Sequence, residues 1–251
     1  MRIIPVIDLL GGQVVRGIGG RRSEYRPIES KLVAGSDPGA IAAAFVEHFS
    51  ATTCYVADLD AIEREHWQMD AWQAVSRAGL RLWLDAGLGH GIPLARAREA
   101  CRAGGIDADY IVALESLGAD GEHKLSMMMQ ILRMPLIFSL DMKDGRPLTK
   151  SADWKSLEPI EIAARVIESG ITRMIVLDLA DVGTSGGTRT LDLCRELKAK
   201  YPQLELIAGG GVRNLDDLKR IADAGCSAAL VASALHDGRL TRADWDAAAA
   251  L

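Results

Sequence analysis

No run of lysine and arginine long enough to track a phosphate backbone occurs in the chain. Arg21-Arg22 is too short to count, and the formal net charge is -5, so nucleic acid is not expected as a partner. No apolar stretch approaches the roughly 18 residues that cross a bilayer. No basic segment leads into an apolar signal region ahead of the first strand-like run. Together these absences predict no membrane association and a cytoplasmic location. The four cysteines, Cys54, Cys101, Cys194 and Cys226, lie far apart without a Cys-x-x-Cys pair, a spacing expected of buried thiols rather than of disulfides or zinc ligands. The five histidines, His48, His66, His90, His123 and His236, form no spaced metal set, so no metal is expected. His90 alone is kept in view, because it follows the third strand-like run. Linkers rich in proline, glycine or serine are also missing, which leaves no boundary at which to divide 251 residues.

What is present is alternation. With 49% hydrophobic and 25% charged residues the composition is that of an ordinary globular protein. Short apolar runs recur at Ile3–Ile7, Thr53–Ala57, Leu80–Leu84, Tyr110–Leu114, Leu136–Leu140, Met174–Leu177, Leu204–Ala208 and Ala228–Val231. Continuously apolar runs of this length read as parallel strands buried on both faces. Amphipathic helical stretches lie between them. Asp37-Pro38 supplies an N-cap and first-turn proline for a helix through Phe49, Ser156 can cap Leu157–Ser169 ahead of Gly170, and Asn214 can cap Leu215–Ala224 ahead of Gly225. Thr241–Leu251 reads as a last, alanine-rich helix. The motifs also repeat at half the chain length. Pro5–Asp8 parallels Leu136–Asp141, Val56–Asp58 parallels Val176–Asp178, Leu84–Gly91 parallels Ile207–Asn214, and Ile111–Ala113 parallels Leu230–Ala232. The expected architecture is α/β: one eight-stranded parallel (βα)8 TIM barrel over residues 1–251, built from two similar half-barrels. A doubly wound open sheet is the alternative.

In such a barrel the site lies at the C-terminal ends of the strands. Asp8 and Asp141 close the first and fifth runs at mirrored positions, which points to two carboxylates on opposite sides of one pocket, a pairing suited to general acid and base work. Gly209-Gly210-Gly211 follows the seventh run and precedes a helix, and Ser233 follows the eighth. Glycines there either admit a phosphate to backbone N–H groups or merely turn the chain. The first half carries Asp85-Ala86-Gly87-Leu88-Gly89 and Leu114-Glu115-Ser116 instead, with two acids that would repel a phosphate dianion and no arginine nearby in sequence. Asp58 and Asp60 close the second run, and Asp178 and Asp181 the sixth; each either lines the pocket or holds loops. Arg16 is an anion clamp or a surface arginine. Gly183-Thr184-Ser185-Gly186-Gly187 is long and polar enough to fold over a ligand, with Thr184 as a contact. Met127-Met128-Met129 is expected to pack a helix.

These motifs resemble the paired barrels of histidine biosynthesis, the ProFAR isomerase and the cyclase subunit of imidazole glycerol phosphate synthase. The segments are Ile4–Leu9 with Gly12–Arg16, Asp58–Ala61, Phe138–Asp141, Asp178–Ala180 leading to Gly183-Thr184, and Ala208–Val212, so the likeness spans nearly the whole chain. It is closer to the isomerase, since the cysteine and lysine usual in the cyclase are replaced by Val6 and Asp8-Leu9-Leu10. The resemblance implies an aldose-to-ketose (Amadori) rearrangement of a small phosphorylated metabolite, with Asp8 and Asp141 moving protons and no metal or organic cofactor. A monomer or small homo-oligomer is expected. Four places depart from that family, one being Ala113-Leu114 where it has glycine-threonine at the end of the fourth strand. Leu177 stands for its catalytic threonine, Asp181-Val182 for its Arg-Asp, and Asp85–Gly89 for a first-half triple glycine that serves the second of two substrate phosphates. A paralogue for a different, singly phosphorylated metabolite and a non-catalytic metabolite-binding barrel therefore stand as alternatives.

Overall fold

The computed structural model describes residues 1–89, 91–132, 134–184 and 187–251. Eight strands run parallel and pair in chain order: β1 (Arg2–Leu10), β2 (Thr53–Asp58), β3 (Arg81–Asp85), β4 (Ala108–Ala113), β5 (Leu136–Lys143), β6 (Arg173–Asp178), β7 (Glu205–Gly209) and β8 (Ala228–Val231). β1 returns to β8 in the register Arg2↔Ala228 through Pro5↔Val231, so the sheet closes on itself. With helices packed around it this is a (βα)8 barrel. All eight apolar runs became these strands, and the β1–β8 pairing excludes the open sheet.

Burial on both faces explains the unbroken apolar runs. Along β5, Leu136, Phe138 and Leu140 pack toward the helices, whereas Ile137 faces the barrel interior. Ile4, Tyr55, Trp83, Ile111, Ile175 and Ile207 join it there. At the N-terminal end of the barrel Asp109 accepts from Arg81 at 2.7 Å and Arg173 at 3.0 Å. Side chains alternate across a strand, so the interior face at the other end carries Asp8, Ala57, Asp85, Asp141 and Leu177. Asp58 and Asp178 fall on the opposite face of their strands.

The helix boundaries follow their caps. Asp37 accepts from the Ala40 N–H at 2.8 Å and Pro38 opens the helix Pro38–Phe49. Asn214 accepts from the Asp217 N–H at 3.0 Å ahead of Leu215–Asp223. Thr241 caps Arg242–Ala249 through a reciprocal pair with Asp244. Ser156 does not cap the helix assigned to it. That helix runs Pro159–Glu168, begun by Pro159 and by the Glu158 N–H donating to Glu161 at 2.8 Å, while Ser156 ends the short helix Ala152–Lys155. Proline fixes the start, because its ring presets helical φ and has no N–H to satisfy. The four cysteines are free and buried. Met128 is buried in the helix Gly121–Leu132, and its neighbour Met127 is exposed. Among the described residues no helix is long and apolar enough to cross a membrane.

The halves share one further device. β1 and β5 each run past the barrel rim into a tight antiparallel hairpin, with Gln13–Arg16 and with Arg146–Pro147. Both two-residue turns, Gly11-Gly12 and Asp144-Gly145, have positive φ throughout, the geometry that matches strand twist. Carboxylates at or just after the end of the next strand in the sheet pin them. Asp60 accepts from the Gly11 N–H at 2.6 Å, and Asp178 accepts from Asp144 and Gly145 at 3.1 and 2.7 Å. The two strands that carry Asp8 and Asp141 are thereby anchored beyond their pocket ends.

Candidate active site

A pocket opens at the C-terminal ends of the strands, and Asp8, Asp85 and Asp141 line it from β1, β3 and β5. Asp85 and Asp141 are more than nine-tenths buried and Asp8 is half-buried. Three carboxyls in one apolar-walled pocket resist ionisation, since each charge loses hydration and repels the others. Burial raises Asp8 to about 7, an effect that Arg22 opposes and Asp85 reinforces. Burial likewise raises Asp141 to about 8; the Ser139 hydroxyl, donating at 2.6 Å, works against this, and Asp85 and Glu115 add to it. Asp85 rises to about 6, held lower by the Gly87 N–H and by the Tyr55 hydroxyl, which donates at 3.1 Å. Near neutral pH such a set holds both protonated and ionised carboxyls, as acid–base chemistry requires.

On the opposite wall lie Gly210, Gly211, Ala232 and Ser233. Gly210 and Gly211 have φ of +85° and +72°, and a Cβ at Gly211 would overlap the Gly187 carbonyl. Glycine is required at both for backbone reasons. Gly209 ends β7 immediately before them. Ser233 begins the short helix Ser233–His236, whose N-terminus has no side-chain cap. Arg239 also reaches this wall while pairing with Asp237 at 2.9 Å.

Other residues singled out in the sequence lie outside the pocket. Arg16 grips Asp237 through two bonds of 3.1 Å, tying the β1 hairpin to the segment after β8, and is not in the pocket wall. Asp58, fully buried, caps the helix Leu59–Arg64 through the Ala61 N–H and also accepts from the Gln68 N–H and Trp72 Nε1, at 3.0, 2.8 and 2.9 Å. Asp178 is spent on the Asp144-Gly145 turn and on the Ala180 N–H. Strand parity is the reason, because both acids sit one residue beyond the interior-facing position. The exposed Thr184 donates to the Asp181 carbonyl at 3.0 Å, and its neighbour Gly183 is the one that lines the pocket. Asp181 is buried and accepts from the Arg189 N–H at 2.9 Å. His90, Ser185 and Gly186 lie outside the described residues. Among the described residues no group of acids, histidines and cysteines could hold a metal.

Asp58 supports a direct test of this division. Asp58→Ala would leave three buried donors unsatisfied and is expected to cost roughly 2–4 kcal/mol in denaturant unfolding. Folded Asp58→Ala protein should keep its ligand affinity, and a large affinity loss at unchanged stability would return Asp58 to the site.

Arg22 was passed over in the sequence. It lines the pocket and pairs with Glu63 at 3.2 Å and Glu115 at 3.3 Å, linking the loop after β1 to those after β2 and β4. Nothing periodic marks it, because a single 3-10 turn, Arg22–Glu24, delivers it. The expectation of no arginine near the first-half acids holds only along the chain and fails in space. The same loop is docked by the Gly19 N–H on the Val182 carbonyl at 2.7 Å, and a Cβ at Gly183 would overlap the Gly17 carbonyl. Leu177 occupies the pocket wall beside Asp141, with which it pairs across β5 and β6.

A family model described as histidine biosynthesis protein matches residues 2–241. The ProFAR isomerase of Natronomonas pharaonis is 31% identical over 250 residues, covering 95% of this chain and 94% of the relative. That of Anaeromyxobacter dehalogenans is 30% identical over 255 residues, 97% of each chain. An uncharacterized protein of Methanocaldococcus jannaschii is 31% identical over 241 residues, 96% of this chain and 95% of its own length.

Proposed function

This chain belongs to the histidine biosynthesis protein family, and from that premise we propose that it is an aldose-to-ketose isomerase acting on a phosphorylated aminoaldose, of the kind that its isomerase relatives represent. The observation that carries the reading is the pair Asp8 and Asp141, which line one pocket and are both held near neutrality. Asp141, with the higher value, is the acid: it donates its proton to the ring oxygen as the C1–O bond breaks and an iminium forms. Asp8, whose charge Arg22 favours, is the base. It removes the C2 proton, and the C–H electrons form a C1=C2 double bond as the C1=N pair returns to nitrogen, giving an enaminol. Ketonisation then returns the enol proton to Asp141, while C1 takes a proton from Asp8 or water. The phosphate is held by backbone N–H groups between Gly209–Gly211 and Ala232–Ser233, where close backbone approach replaces a cationic side chain.

The direct assay incubates the purified protein with N-substituted 5-phosphoribosylamines, one carrying a single phosphate and one carrying two, and follows the C2 carbonyl by carbon NMR. Conversion of either supports the reading, and no carbonyl from both sinks it. The pH profile tests the assignment of roles. Activity needs Asp8 ionised and Asp141 protonated, so kcat/KM should peak between their values of about 7 and about 8 and fall on both sides. The two limbs report the coupled set rather than single residues. A rate unchanged from about pH 6 to about pH 9 would remove Asp141 as the acid.

A further inference from the structure

The half-barrels approach the pocket from opposite sides, and strand register aligns them residue by residue. Ala57 pairs with Asp85 as Leu177 pairs with Gly209. Asp85-Ala86-Gly87 therefore stands where the other half has Gly209-Gly210-Gly211, one residue out of step with the alignment read from sequence. Gly87 and Gly211 bear this out, with φ of +71° and +72°. In the same way Leu84 pairs with Tyr110 as Ala208 pairs with Ala229. Leu114 and Glu115 then stand where the other half has Ser233 and Ala234.

Those exchanges change what this end of the pocket can hold. At the place of the first glycine, Asp85 puts a buried carboxylate into the ligand space, where it accepts from Tyr55 at 3.1 Å and from its own loop's Gly87 N–H at 3.4 Å. An amide that would face a bound anion faces the protein's own carboxylate instead. Ser233 gives way to Leu114, which is fully buried and offers no donor. A Cβ at Gly89 would overlap the Ser116 carbonyl, so the loops after β3 and β4 are in backbone contact just beyond these residues. Arg22 is shared between Glu63 and Glu115, and the further cations Arg64, Arg96 and Lys150 line an adjoining cavity rather than the pocket that holds Asp85.

We infer that the Asp85–Glu115 end of the pocket recognises a hydrogen-bond donor, a hydroxyl or a protonated amine, and rejects a second phosphate, so that the substrate is singly phosphorylated. This rests on the isomerase reading for the phosphate at the other end, but its test needs no turnover. Calorimetry would compare a pentulose 5-phosphate bearing an amino group at C1 with the matching 1,5-bisphosphate. The wild type is expected to hold the amine at least about tenfold tighter, and Asp85→Asn with Glu115→Gln should shrink that ratio by about tenfold or more. Each exchange is near-isosteric, and a thermal melt with inorganic phosphate reports whether the variants retain the fold and the other phosphate site. Equal or tighter binding of the bisphosphate by the wild type would overturn the inference, as would a ratio unchanged in the double variant. Failure of the isomerase reading shows differently, as absent turnover with the binding ratio intact; binding of neither probe would overturn both.

Discussion

Asp8→Asn and Asp141→Asn should each lower kcat/KM by about 10²–10⁴-fold, the usual contribution of a positioned general acid or base, while phosphate affinity stays within about twofold. Asparagine keeps the shape and removes the titrating proton, so loss of turnover at retained binding isolates proton transfer. Stability should move in the opposite direction. The folded-state values of about 7 and about 8 lie above the ordinary carboxylate range. Through the interval between ordinary and raised values the native state therefore binds more protons than the unfolded chain, and stability falls as pH rises. Asp141→Asn abolishes that loss, so its advantage over wild type should be absent at about pH 4 and reach its full size above about pH 8. A gain of several kcal/mol is expected there, since each pH unit between the ordinary and the raised value contributes about 1.4 kcal/mol. An Asp141→Asn protein with wild-type turnover, or one less stable than wild type at high pH, would contradict the role and the environment assigned to this residue.

Gly209→Asp should abolish phosphate binding. It recreates in the second half the residue that the first half carries at Asp85, at a strand position where φ is not positive. Its Cβ would meet the Leu177 Cδ1 at 3.1 Å, which a leucine rotamer can relieve, and the Leu230 Cβ and Cδ1 at 3.3 Å, for which a shift of a few tenths of an ångström is needed. The new carboxylate would face the phosphate itself, and a loss of at least about 100-fold, roughly 3 kcal/mol, follows from like-charge repulsion in a partly desolvated pocket. Gly210→Asp would be less informative, because at φ +85° any side chain strains the loop. Ser233→Ala removes one neutral hydrogen bond and should cost only about 1 kcal/mol. Titration of wild type, Gly209→Asp and Ser233→Ala with a sugar monophosphate separates these effects. Equal affinities would mean that the phosphate lies elsewhere and that the three glycines only turn the chain.

The candidate site was legible in the sequence where a local pattern carried it. Asp8 and Asp141 were marked by repetition at equivalent strand ends, and the glycines by their place between strand and helix. Arg22, Tyr55 and Arg239 were not, because Arg22 comes from a single 3-10 turn, Arg239 from a loop, and Tyr55 sits inside an apolar strand without any mark of which face it occupies. Arg16 looked like a clamp for a ligand and is one for Asp237, a residue 221 positions away that no local reading could pair with it.

The amino-acid sequence by itself determined the eight strands, their order and the two-half plan, because apolar runs, caps and turn residues are local signals whose physics acts within a few residues. Tertiary structure alone decided which acids face the pocket. A parallel strand buried on both faces is apolar at every position, so its alternation is invisible until barrel closure assigns an inside and an outside. That assignment turned Asp58 and Asp178 away from the pocket to hold a helix and a hairpin, and it brought Asp85 in beside Asp8 and Asp141. Strand register did the same for the loops, placing Asp85 opposite Gly209 rather than Ala208, since backbone pairing fixes equivalence where side-chain likeness had shifted it by one residue.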